Sequence, residues 1–113
     1  MTIYPTRKLY PRTLKVAGRD WKVRFVNKIE DGTKARDTIG LCDPYDATLF
    51  ILAGQSPEER FVTFVHEFLH ALEEEYEFEL GHRVIRKLEG PLAKFLLDNA
   101  DELAVMGAVL EAG

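Results

Sequence analysis

The sequence predicts an α+β fold, a small antiparallel sheet of three to four strands packed against two or three helices. Three observations lead there. The first half alternates apolar and polar residues between turn signals, the second half repeats apolar residues at three- and four-residue spacing, and the change falls at SPEER, residues 56–60. With 113 residues, 46% of them hydrophobic, the chain suits one core, so residues 1–113 read as a single domain, mainly β over 1–55 and mainly α over 56–113.

The strands come first. TLKV (13–16) and WKVRFV (21–26) flank the turn-like AGRD, and Trp21, Val23 and Phe25 alternate with Lys22 and Arg24, which predicts a hairpin with one buried face. A polar stretch follows, with the turn pair Asp31-Gly32. TIGLC (38–42) and ATLFIL (47–52) then flank a second turn, DPYD. Ser56 at the cap, Pro57 at the first helical position and Glu59 three residues after the cap mark a helix start. Phe61, Phe64, Val65, Phe68, Leu69 and Leu72 form that helix's apolar face at 100° per residue. In the last third Leu92, Phe95, Leu96, Leu103, Met106 and Leu110 keep helical spacing, and are expected to pack on the sheet and the first helix. A C-terminal helix used for dimerisation or a partner contact is the other reading.

Charge and composition exclude some classes. Fifteen basic against nineteen acidic residues give a net charge of −4, which disfavours nucleic acid as the main partner. No apolar run approaches the ~18 residues of a membrane span, and the basic N-terminus is followed by no apolar stretch, so a soluble, cytoplasmic protein is expected. The one cysteine, Cys42, cannot form an internal disulfide and reads as a small, semi-buried residue at a strand end.

The chemistry concentrates in HEFLH, residues 66–70. His66 and His70 lie one helical turn apart, opposite the apolar face, with Glu67 on the flank between them and that face. Two imidazoles so placed can each give a nitrogen to one zinc ion (Zn2+) about 2.0–2.1 Å away. Glu67, adjacent in sequence but pointing to another side, can reach a water at the metal.

HEFLH on a helix after a short antiparallel sheet resembles the zincin metallopeptidases. The run FVTFVHEFLHALEEEYEFELGHRVIRKLEGPLAKFLLDN is similar to the small, often phage-encoded metallopeptidases related in outline to the SprT-like and ImmA/IrrE-like groups. The resemblance implies a zincin-like minimal catalytic domain with His66 and His70 as zinc ligands and Glu67 as general base. The metzincin branch is excluded, because Glu73 stands where its glycine would be and Tyr76 where its third histidine would be.

A catalytic zinc site needs a third protein ligand. His82, just past a Gly81 turn, resembles the glycine-histidine pair of the SprT-like group and is preferred. Glu89 is the rival, at the spacing of the gluzincin aminopeptidases, but it precedes Gly90-Pro91, where a helix is expected to break. Whichever of the two is not bound can orient the other. Glu73, Glu74, Glu75, Glu77 and Glu79 read mostly as a solvated acidic face. ATLFIL is the strand expected to offer its edge to an extended peptide, with an ordinary core strand an equal reading, and Tyr45, Tyr76 and Arg83 are candidates either to stabilise an oxyanion or to pack at the surface.

The function expected is therefore zinc-dependent hydrolysis of a peptide or protein substrate. A zinc-retaining regulatory or interaction module of phage origin is the alternative, and a metal-free interaction protein is a third reading. The oligomeric state is left open.

Overall fold

The computed structural model describes residues 4–29 and 39–112. A 3-10 turn at Arg7–Leu9 precedes four strands, β1 (Thr13–Val16), β2 (Arg19–Val26), β3 (Gly40–Asp43) and β4 (Thr48–Leu52). Three helices follow, α1 (Pro57–Tyr76), α2 (His82–Asp98) and α3 (Ala100–Ala112). The α+β class and the change of pattern at Ser56 are as expected. Asp31-Gly32 lies outside the described residues.

Ala17 and Gly18 both take positive φ, 53° and 79°, so the first hairpin turns in two residues, and Arg19 pairs with Val16 as strand. In the second, the Asp43 side chain accepts hydrogen bonds from the backbone N–H groups of Tyr45 and Asp46 at 3.1 and 3.3 Å, which closes the turn. The strand order is β1-β2-β4-β3. Both hairpins are antiparallel, but β2 and β4 pair in parallel, so the sheet is mixed instead of wholly antiparallel. The β3–β4 hairpin docks with its second strand against β2, and that places β4 in the interior of the sheet. This explains the unbroken apolar run of β4, and it removes the strand expected to offer an edge. Among the described residues the open edges belong to β1 and β3.

Helix α1 starts as its sequence requires. The Ser56 hydroxyl accepts from the Glu59 N–H at 3.2 Å and donates to the Glu59 carboxylate at 2.8 Å. The helix is then covered from two directions. Ala71, with Phe64, Phe68 and Leu72, packs against Val16, Trp21 and Leu49 of the sheet. Phe61, Val65 and Leu69 pack against Ile85 and Ala93 of α2 and against Tyr10. α2 runs unbroken through Pro91. Residue 90 is a glycine, so the proline ring meets no Cβ on its predecessor, and one missing backbone hydrogen bond is tolerated.

α3 departs from expectation. Leu103, Met106 and Leu110 are 37%, 60% and 79% exposed, and no residue of α3 joins either core cluster. Both apolar faces of α1 are already occupied, by the sheet and by α2. No helix among the described residues is long and apolar enough to cross a membrane.

Tyr10 seats the N-terminal segment, with its ring edge-on to Phe25 at 4.9 Å and to Phe64 at 5.4 Å. Its hydroxyl is buried and has no hydrogen-bond partner among the described residues. Burial pushes the phenol up to about 12 from its usual 10. The folded chain holds this proton more tightly than the unfolded one, so the linked stability is complete below pH 10 and is lost as pH rises toward 12. Tyr10→Phe should abolish that alkaline loss and leave the protein as stable at neutral pH or more so, by about 1 kcal/mol. Urea unfolding at pH 7 and pH 10.5 checks both, and a clearly destabilised variant at pH 7 would contradict the orphaned hydroxyl.

Candidate metal centre

His66 and His70 face a groove between α2 and the β3 edge, not open solvent. Their side chains are 19% and 20% exposed. His82 is the first residue of α2, entered from Gly81 at φ 84°, a conformation that favours glycine. This turn brings the third imidazole to the other two. One ligand atom from each of His66, His70 and His82 lies within 4.8 Å of the others. The ring centroids are 4.9 Å apart for His66 and His70, 4.7 Å for His70 and His82, and 5.9 Å for His66 and His82.

Two carboxylates orient the rings on α1. His66 Nδ1 donates to Glu89 Oε2 at 2.5 Å, and His70 Nδ1 donates to Glu73 Oε1 at 2.7 Å. A carboxylate accepts here, so each Nδ1 faces its partner as the donor and each Nε2 is the nitrogen a metal would take. Glu89 thus partners His66 and does not orient His82, and it stands outside the three-histidine cluster.

Glu73 is the residue that sequence reasoning misplaced, because it sits in an acidic run that reads as a solvated face. Its second oxygen accepts from the backbone N–H groups of Leu80 and Gly81 at 2.7 and 3.1 Å, so one carboxylate holds the His70 ring and the segment that delivers His82. Partial burial works against the charge. The Gly81 and Leu80 donors and the His70 ring outweigh it and hold the carboxyl below its usual range. Glu75 also has partners, Arg19 at 2.9 Å and the Trp21 indole N–H at 3.2 Å, which tie the end of α1 to β2.

Glu67 lines the same cavities as His66 and His82 and is only 6% exposed. Its Oε2 lies 4.0 Å from His66 Nε2. Gly40 makes room for it: a Cβ at that position would stand 2.6 Å from Glu67 Oε2 and 2.6 Å from the Thr63 methyl. Burial, and to a lesser degree the Glu89 charge, pushes the Glu67 carboxyl up to about 7.

An open cleft of about 800 Å³ is lined by these groups together with Ile39, Gly40, Val62, His82, Arg86 and Glu89. Arg86, one turn beyond His82 on α2, was missed. Its only signal is the four-residue spacing from His82. Tyr45 and Tyr76 are 92% and 59% exposed, and neither they nor Arg83 are among the residues lining the two cavities described at the histidines.

Cys42 lies on β3 and lines a smaller cavity shared with His66 and His70. Burial first, then the charges of Glu67, Glu74, Asp43 and Glu73, push its thiol up to about 12. Iodoacetamide at pH 8 should therefore modify Cys42 at least tenfold more slowly in the folded chain than in urea, because the thiolate is the reactive form. Equal rates would contradict this environment.

No family model, curated protein or solved structure matches this chain. The functional reading is thus carried by the residues and their geometry. The donor set suits zinc: three imidazoles from two helices, two of them with the outer nitrogen tied to a carboxylate, and a cleft on the remaining side. In tetrahedral coordination the ligand nitrogens stand roughly 3.4 Å apart, a distance that small ring rotations reach from within 4.8 Å.

Proposed function

We propose that this domain is a zinc-dependent metallopeptidase in which His66, His70 and His82 hold the ion and Glu67 is the general base. One juxtaposition supports the reading most: three imidazoles converge beside a buried carboxyl at the mouth of an open cleft. Zinc, when bound, supplies Lewis acidity and brings the pKa of its water toward about 7. Glu67, buried and 4.0 Å from His66 Nε2, would serve as the base that takes a proton at the site and returns it to the departing amine. An extended peptide would pair with the open edge of β3, whose Gly40 and Leu41 border the histidines. Arg86, which lines the same cleft, offers a cation for charge that develops on the substrate carbonyl. The substrate is a peptide or protein, and the setting is the cytosol, where an unpaired Cys42 stays reduced.

The test is hydrolysis of an unfolded protein such as reduced casein by the zinc-loaded chain. Cleavage that is lost with a chelator and restored by zinc is expected. A chain that holds one zinc and cleaves neither casein nor a random peptide library would favour the alternative, a zinc-binding regulatory or interaction module.

A further inference from the structure

We infer that the cavity at the start of the sheet binds a small organic phosphate, a phosphate monoester on an apolar or aromatic body, with Arg7, Lys8 and Arg12 meeting the phosphate and Tyr10, Val23 and Phe25 the body. The cavity measures about 550 Å³, within the range of small-molecule sites. Its lining joins three cations to an apolar floor.

The charge comes from an asymmetry that the net value conceals. Residues 1–28 hold eight basic side chains and one acidic, and residues 29–113 seven and eighteen, so a chain at −4 carries +7 at its start and −11 beyond. Lys15 and Arg19 have carboxylate partners, in Asp20 and Glu75. Arg7, Lys8 and Arg12 have none among the described residues, and all three are exposed where they border the cavity. The backbone fixes their places. Leu9 N–H donates to the Thr6 carbonyl at 3.0 Å and Tyr10 N–H to that of Arg7 at 3.3 Å, which closes the turn carrying Arg7 and Lys8, while the Arg12 carbonyl accepts from Val23 N–H at 2.9 Å. Tyr10 and Val23 are buried, so the floor is part of the folded interior.

Three cations at one cavity suit a ligand with more than one negative charge. A phosphate monoester is close to a dianion at neutral pH, and its oxygens match the fork of an arginine. The apolar floor suits a carbon body on the same molecule, which inorganic phosphate lacks. The cavity lies at the β1 side of the sheet and the histidines at the β3 edge, roughly 14 Å across four strands, so the inference does not rest on the zinc reading.

Isothermal titration calorimetry of the full chain with phenyl phosphate tests it. Saturable binding with a Kd of about 1 mM or below is expected, at least tenfold tighter than inorganic phosphate, and weakened severalfold as salt rises from about 0.05 to 0.5 M. Arg12→Gln should weaken binding at least tenfold. Lys22→Gln, at an exposed position of β2 outside the cavity, and Arg86→Gln, in the histidine cleft, should each change it less than twofold. If Arg12→Gln alters the circular dichroism spectrum, Lys8→Gln is the variant that decides, with at least a threefold loss expected. Binding no tighter than that of inorganic phosphate, or cavity variants that bind like the wild type, would overturn the inference. So would a loss in Lys22→Gln or Arg86→Gln as large as in Arg12→Gln, since the phosphate would then be held by a diffuse basic surface or by the histidine cleft.

Discussion

Replacing Glu73 by alanine is expected to weaken zinc binding more than any other substitution outside the ligands themselves. Removing a carboxylate that orients one metal-bound histidine typically costs 10- to 100-fold in affinity. Glu73 does more, since the same side chain also receives the N–H groups of Leu80 and Gly81, the two residues that lead into His82. Its loss frees the His70 ring and loosens the entry of the third ligand together, so an effect of about 100-fold or more is expected. Glu89→Ala removes only the partner of His66 and should cost less, about tenfold, with zinc still bound near one per chain. Competition with a chromogenic chelator gives both affinities. Equal, small effects would mean that the Glu73 contacts do not govern the site.

Glu67→Gln should keep zinc and lose hydrolysis. Glutamine has the shape of the carboxylate and fits the space left beside Gly40, but it cannot take a proton at neutral pH. The loss in kcat should be about 10²- to 10⁴-fold, the usual contribution of a positioned base. Stability should hold or rise, because the variant no longer buries a carboxyl whose ionisation is opposed by burial and by Glu89. A variant that cleaves at the wild-type rate would remove Glu67 from the mechanism.

What could be read from the sequence was local. The Ser56-Pro57-Glu59 start, the Ala17-Gly18 turn and the pairing of His66 with His70 on one helix face each depend on neighbours within a few residues. The preference for His82 over Glu89 rested on the Gly81 turn and on a helix break at Gly90-Pro91; α2 runs unbroken there, His82 lies with His66 and His70, and Glu89 hydrogen-bonds His66. What escaped depends on partners distant in sequence. Nothing in TLFIL says that its neighbours are β2 and β3, so its apolar run left an edge strand and a core strand equally open. Glu73 looks like Glu74 or Glu77 until the return of the chain at Leu80 is known, and Glu89 meets His66 across 23 residues. The exposure of α3 follows from the filling of both faces of α1, which no periodicity within residues 100–112 reveals.

The most direct test of the three-histidine centre is elemental analysis of protein prepared without an affinity tag or chelator, wild type beside His82→Ala. About one zinc per chain in the wild type, and a large loss in the variant, is the expected result. An absence of zinc after reconstitution, or a variant that holds as much zinc as the wild type, would contradict a site built from His66, His70 and His82.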